Sequence, residues 1–406
     1  KGYKLTHVIN ITDVGHLTSD ADAGDDKMEK AASESGKSAW DIARYYQQAF
    51  ERDLARLNIR KPAHPRATEY VETMVGWART IAPKHCYELE SGLYFDTSTV
   101  PDYGRLARAA TEAGEGRIES VEGKRNAADF AIWRKTPLGE SRQMEWDSPW
   151  GRGAPGWHLE CSVMSSALLG HPFDIHTGGI DHREIHHPNE IAQNQAHGCT
   201  ADSGARIWMH NNFLIERRGK MSKSTGDFLV LQTLVDKGFH PLAYRLMCLQ
   251  AHYRSELEFS WENLAAALTR LKRIVIAWEK IVATASSSTW APASMSKLMS
   301  NHVGAFDSAV CDDLNTPRAL TVFEELLHDR EIRPEEKHDD LLKMDEVLGL
   351  ELQTVNRSAL RVRPVNAHIS EADIEAELSR RLEARAQKDY AASDRIRDEL
   401  AAKGVE

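Results

Sequence analysis

Between residues 156 and 215 the apolar spacing switches back and forth between helix and strand, and this alternation restricts the fold more than any other feature of the chain. Residues 161–169 have helical spacing, 173–176 read as a strand, 189–197 are helical again and 208–215 are strand-like. A strand followed by a helix and another strand can bury both faces only as a parallel α/β sheet. The first part of the chain repeats the order. Residues 5–12 alternate and carry β-branched side chains, the acidic stretch 13–26 reads as a loop, and residues 39–57 place apolar side chains on one helical face.

The pattern is interrupted from about residue 81 to residue 150. Short extended pieces at 92–96 and 130–133 sit among Gly and Pro, with a polar run at 111–126, which predicts an inserted β-rich module. After Ser224 the chain turns helical, with helical spacing at 229–237, 241–251, 261–285 and 317–327. Ser286 to Thr289 reads as a linker. Asn315-Thr316-Pro317 is a helix start, a polar cap followed by proline in the first turn. Residues 371–402 are rich in Glu and Arg with a thin apolar stripe, as in a surface-docked helical pair.

Composition enters as a filter on function. A net charge of -10 is the wrong sign for a surface that grips nucleic acid everywhere, and leaves a local basic face open. Five cysteines, odd in number and scattered, argue against a disulfide framework and for a reducing compartment, so a cytoplasmic protein is expected. No apolar run is long enough for a membrane span, and the start at Lys1-Gly2-Tyr3 has no signal-peptide pattern.

The chemistry concentrates in 156–224. Cys161, His186 and Glu190 offer thiolate, imidazole and carboxylate, the donor types zinc takes in tetrahedral sites. Four residues separate His186 from Glu190, one helical turn, although Pro188 places His186 just ahead of the helix. A fourth protein ligand would come from His182, His187 or beyond this chain. Spacing leaves a second reading open, in which Cys161 is a small buried hydrophobe and the histidines are surface polar groups. Lys220-Met221-Ser222-Lys223-Ser224 supplies two ammonium groups and two hydroxyls on a turn, suited to charge growing on a departing pyrophosphate, without the glycine cradle of a Walker loop. Gly178-Gly179-Ile180-Asp181 after a strand fits a tight turn at a sheet's carboxyl edge, where nucleotides bind, with Asp181 able to accept from ribose hydroxyls.

These segments, in order, resemble the cysteinyl-tRNA synthetases of class I. The matching residues are Asn10-Ile11-Thr12-Asp13, Arg66-Ala67-Thr68, Lys124-Arg125-Asn126 with Asp129-Phe130, Pro155 to Ser162, His186 to Gln193, Lys220 to Ser224, His252 to Ser255, and Asp312 to Pro317. The resemblance implies a Rossmann-type parallel-sheet catalytic domain with a connective insertion, then an α-helical anticodon-binding region. Its expected boundaries are 1–80 and 151–225 for the two parts of the catalytic domain, 81–150 for the insertion, 226–265 for a linking fold, 266–350 for a helical bundle and 351–406 for a C-terminal helical segment.

The resemblance also implies ATP-driven formation of cysteinyl-adenylate and transfer of cysteine to tRNA(Cys), by a monomer holding Zn2+ and using ATP with Mg2+. Carried over, Cys161, His186 and Glu190 ligate zinc, and Thr12 and Trp157 line the cysteine pocket. Gly178, Gly179, Asp181, Lys220, Ser222 and Lys223 bind ATP, with Lys220 and Lys223 catalytic. The family's fourth zinc ligand, a cysteine in a Cys-Gly-Pro-Thr type segment, and its His-x-Gly-His type motif are expected ahead of Lys1. Pro188, Asn212 and Asp227 stand where the family often has glutamate, glycine and asparagine. Two rivals share part of this pattern: a cysteine ligase of mycothiol synthesis, and a catalytically silent zinc- or tRNA-binding paralogue.

Overall fold

The computed structural model describes residues 3–14, 32, 36–107, 121–198, 204–216, 219–220, 230–287, 301–362 and 369–405. It divides into two compact units. The first comprises Lys1–Met221, Leu249–Ser260 and Asp307–Ala319; the second comprises Ser222–Cys248, Trp261–Phe306 and Leu320–Glu406.

In the first unit, the expected strand at 5–12 is an extended segment joined to residues 63–67 by two isolated parallel bridges, Val8 with Ala63 and Ile11 with Arg66. The rungs run Ala63 N to His7 O, Ile9 N to Ala63 O, Ile11 N to Pro65 O and Ala67 N to Ile11 O. The rung missing from this alternation belongs to Pro65, which has no N–H to donate. Helix α1 (Ala39–Arg56) follows the expected periodicity, capped by Ser38, whose hydroxyl accepts from the Asp41 amide at 3.1 Å.

Helix α2 (Val71–His85) leads into a four-stranded antiparallel sheet, β1 (Cys86–Leu89), β2 (Gly92–Phe95), β3 (Phe130–Lys135) and β4 (Gly153–Pro155), hydrogen-bonded in that order. Strands β1 to β3 fall in the stretch expected to be an inserted β-rich module, and β4 lies just past its expected end at residue 150. The motif around Lys124 closes the module's loop. Buried Asp129 accepts from Tyr87 Oη at 2.8 Å, the Thr97 amide and hydroxyl at 2.9 and 2.8 Å, and the Asn126 amide at 2.9 Å. The Arg125 guanidinium lies over the Tyr87 ring at 4.2 Å and donates to Asp96 at 2.9 Å.

Helix α3 (Trp157–Leu169) begins where Gly156 passes β3: its amide donates to Ile132 O at 2.9 Å, and a Cβ there would overlap the Ala131 carbonyl. Met74, Trp77 and Ile81 of α2, Phe95 of β2, Phe130 and Ile132 of β3, and Leu159 and Val163 of α3 share one core. The insertion is therefore fastened to α3, and α3 carries part of the site.

Strand β5 (Phe173–Gly179), helix α4 (His186–Gly198) and strand β6 (Ala205–Asn211) form the parallel strand-helix-strand unit that the alternation predicts, in register from Phe173 with Ala205 to Gly179 with Asn211. The single strand expected at 208–215 is broken at Asn212, whose amide leaves the ladder to donate to Tyr253 O at 2.7 Å. Beyond the break, β7 (Leu214–Glu216) pairs antiparallel with β8 (Gly219–Lys220) and parallel with β9 (Leu257–Phe259).

The remaining structure is helical: α5 (Leu231–Asp236), α6 (Pro241–Leu249), α7 (Trp261–Ser287), α8 (Asn301–Cys311), α9 (Thr316–His328), α10 (Pro334–Leu348), α11 (Glu371–Ala386) and α12 (Tyr390–Ala402). In the second unit, α7 buries Leu264, Leu271, Val275 and Trp278, and α10 buries Leu341, Met344 and Leu348. Helix α10 has no counterpart in the sequence reading, because its charged surface residues obscure a narrow apolar stripe. Helices α11 and α12 form the expected pair, each started by a side-chain cap, Ser370 and Asp389. Among the described residues no helix is long and apolar enough to cross a membrane.

Candidate metal centre

Helix α3 presents Trp157, His158 and Cys161 within its first two turns, and α4 presents His186, His187 and Glu190 within its own. His186 is the first residue of α4 rather than a residue ahead of it. Pro188 fits inside the first turn because a helix's first amides have no intrahelical acceptor. His186 and Glu190 therefore share a face, with His186 Nε2 3.2 Å from Glu190 Oε1.

The ligand atoms of Cys161, His186 and Glu190 all lie within 4.8 Å of one another, and the three residues are 9%, 4% and 1% exposed. The reading of the histidines as surface groups fails on this burial. A second group, His176, His187 and Glu190, meets the same limit and shares the carboxylate, with His176 Nε2 3.3 Å and His187 Nε2 3.9 Å from Glu190 Oε1. Among the described residues, His182 belongs to neither group, whereas His187 belongs to the second.

The charges are arranged to keep Glu190 ionised. Burial pushes its carboxyl up, but His176 and His186 outweigh burial and hold it well below the carboxylate range. Burial likewise pulls His176 down, and the Glu190 charge more than reverses it. Burial takes His187 down to about 2, so its ring is neutral, with Nδ1 2.8 Å from His210 Nε2. The Cys161 thiol is driven up by burial and by the charges of Glu190 and Glu160, against one hydrogen bond with the Asn10 side chain. A thiol so placed is held protonated by its surroundings, and a bound cation is the natural agent of its ionisation. A soft sulfur, an imidazole and a carboxylate converging in a buried pocket fit zinc as a donor set.

Of the other expected site residues, Trp157 packs on this cluster, while the rest lie on neighbouring segments, on β8 or outside the described residues. The Trp157 ring centroid is 4.4 Å from that of His186 and 5.8 Å from that of His182. Thr12 is half-buried on the segment between Asn10, which reaches Cys161, and Asp13, whose carboxylate accepts from the Thr68 amide at 3.0 Å and hydroxyl at 2.7 Å. Gly178 and Gly179 are the last residues of β5 rather than a free turn, and Asp181 sits in the 3-10 turn Ile180–Arg183 that follows. A Cβ on Gly178 would lie 2.7 Å from His187 Cε1 and 2.9 Å from His182 Nδ1, so two imidazoles pack directly on the backbone there. Lys220 pairs through its backbone with Ile215, in a strand rather than a loop. Ser222 and Lys223 lie outside the described residues.

Sequence reasoning gave no role to four participants: Asn10, His158, His176 and His210. Asn10 and His158 lie in segments that carry the resemblance and His176 in the histidine-dense stretch 171–187, whereas nothing in the sequence marks His210.

Residues 1–269 match the family described as tRNA synthetases class I (C) catalytic domain. A solved Mycobacterium tuberculosis methionyl-tRNA synthetase bound by methionyl-adenylate shares the fold with a TM-score of 0.53 at 15% identity, over 84% of this chain and 81% of that one. Residues 1–269 thus carry the catalytic domain of a class I aminoacyl-tRNA synthetase. The chain is 66% identical over 413 residues to the Cysteine--tRNA ligase of Novosphingobium aromaticivorans, covering 100% of this chain and 83% of that protein. It is 52% identical over 437 residues to that of Zymomonas mobilis, covering 100% and 85%. The chain belongs to the cysteine--tRNA ligase family.

Proposed function

We propose that the protein activates L-cysteine with ATP and transfers it to tRNA(Cys), with Cys161, His186 and Glu190 as zinc ligands. The convergence of those three donors beside the carboxyl end of β5, where α/β sheets bind their ligands, carries the reading. When bound there, zinc supplies an affinity for sulfur that the hydroxyl of serine cannot match, so cysteine is selected without a separate editing site.

The chain's own groups do the remainder. Trp157 and Thr12 shape the pocket for a small side chain. Gly178, Gly179 and Asp181, at the carboxyl end of β5, hold the nucleotide, and Asp181 accepts from its ribose. The cysteine carboxylate attacks the α-phosphorus of ATP, the bond to the β-phosphate oxygen breaks, and pyrophosphate leaves carrying the charge. Lys220, Ser222 and Lys223 stabilise that charge with Mg2+, and do so most in the transition state. A hydroxyl of the terminal adenosine of the tRNA then displaces AMP. The helices after β9 carry the RNA contacts, and the cytoplasm is the compartment.

Cysteine-dependent exchange of pyrophosphate into ATP by the full-length protein, with serine as control and with and without a zinc chelator, tests the first step. Charging of tRNA(Cys) tests the second. Exchange that ignores chelation would remove zinc from the reading. Adenylate formation with no tRNA charging would favour the amino-sugar ligase instead.

A further inference from the structure

Two motifs that lie far apart in sequence meet in the first unit. Tyr253 Oη donates to Asp313 Oδ1 at 2.6 Å, and Arg254 donates to the same carboxylate through Nε at 2.5 Å and Nη2 at 3.3 Å. Asp313 and its neighbour Leu314 both have left-handed backbones, at φ 52 and 54, a conformation that residues other than glycine rarely adopt. They turn the chain between α8 and α9.

The backbone of Tyr253 and Arg254 is held in turn by Asn212. The Asn212 amide donates to Tyr253 O at 2.7 Å, its Nδ2 donates to Arg254 O at 3.0 Å, and its Oδ1 accepts from the Phe213 amide at 2.8 Å. Leu257 N then donates to Phe213 O at 3.0 Å, and the parallel pairing of β7 with β9 begins at Leu214 with Leu257. One strand further on, Ile215 pairs with Lys220. A continuous set of hydrogen bonds therefore runs from the Asp313 carboxylate, through the 253–254 turn and Asn212, to the backbone of Lys220.

We propose that Asp313 is a positioning residue for the strand that carries Lys220: by clamping Tyr253 and Arg254 it fixes the turn onto which Asn212 is stapled. This rests on the reading of Lys220 as a phosphate-binding group. Asp313 touches neither substrate nor metal ligands; its effect travels through backbone register. Exposed ion pairs are individually weak, and this one gains from three donors on one carboxylate. Asn212 adds the side-chain half of the staple through its bonds to Arg254 O and the Phe213 amide.

The test uses the full-length protein with Asp313→Asn, Arg254→Gln and both together. Asp313→Asn is expected to lower the maximal rate of pyrophosphate exchange by about two- to fivefold, the range of a single well-placed pair. The KM for cysteine and the zinc content stay unchanged, and the double variant is no worse than the single ones, as for residues acting in one chain. Faster amide hydrogen exchange at 213–216 in Asp313→Asn is expected alongside. Unchanged amide protection there overturns the proposal, and so does a cysteine KM that rises in step with the rate loss. Should the parent protein show no pyrophosphate exchange, the proposed function fails while the amide measurement still decides whether Asp313 sets the strand.

Discussion

The Nδ1 atoms of His158 and His186 lie 2.8 Å apart in a pocket where the two residues are 3% and 4% exposed. One ring gives the proton and the other accepts it. With His186 donating from Nδ1, its Nε2, 3.2 Å from Glu190 Oε1, would offer a lone pair to a metal in place of the proton it otherwise shares with that carboxylate, and His158 sets that tautomer. His158→Ala is expected to weaken zinc binding by about 10- to 100-fold. The KM for ATP stays near its original value. Competition with a chromogenic chelator measures the first and pyrophosphate exchange the second.

Cys161→Ser replaces the sulfur donor with an oxygen that stays protonated near neutrality. Zinc affinity is expected to fall by more than the His158 variant loses, beyond about 100-fold. Discrimination against serine narrows with it. Metal content after dialysis and the ratio of cysteine to serine exchange rates report the two effects.

Gly178→Ala puts a methyl 2.7 Å from His187 Cε1 and 2.8 Å from its Nε2, closer than carbon contacts allow. The ring is buried and must be displaced, at a cost of about 1–3 kcal/mol. A lowered melting temperature and a raised KM for ATP are the expected readings, since the glycine lies at the end of β5, the proposed nucleotide site.

Asp129→Asn leaves the shape and removes the charge that accepts from Tyr87, Thr97 and Asn126. An amide offers one acceptor oxygen, so a buried donor loses its partner, destabilising the insertion by on the order of 3 kcal/mol. The midpoint of urea denaturation followed by tryptophan fluorescence should fall, because Trp133 shares a core with Phe130.

Hydrogen bonds from Arg254 and Tyr253 hold the Asp313 carboxyl down to about 2. Its folded value lies below the usual carboxylate value of about 3.9. The pair's contribution is therefore full above that value and is lost as pH falls through about 2. A carboxyl NMR titration should show the low midpoint, and Arg254→Gln should raise it toward the ordinary range.

Much of this was legible in local pattern. The helical spacing of residues 39–57 became α1, the pieces at 92–96 and 130–133 became β2 and β3, and the strand-helix reading of 173–197 held through β5 and α4. Local pattern misjudged places where a distant partner decides. Pro65 removed a rung from the first strand, and Tyr253 drew Asn212 out of another. Pro188 was accommodated in a helix that His186 begins. The glycines at 178 and 179 lie in a strand because they pair with His210 and Asn211 of β6, with histidine rings packed on Gly178 and Asp181 on Gly179.

By itself the sequence determined the order of helices and strands, because periodicity is a local property, and the chemical types gathered at the site: a thiol, imidazoles and a carboxylate. The tertiary structure alone decided that Glu190 stands between two histidine groups, that His158 orients His186, and that Asp313 meets Arg254. Those relations depend on how α3, α4 and the strands pack against one another. A side chain's partner across the fold, and the burial that sets its charge, leave no period in the sequence.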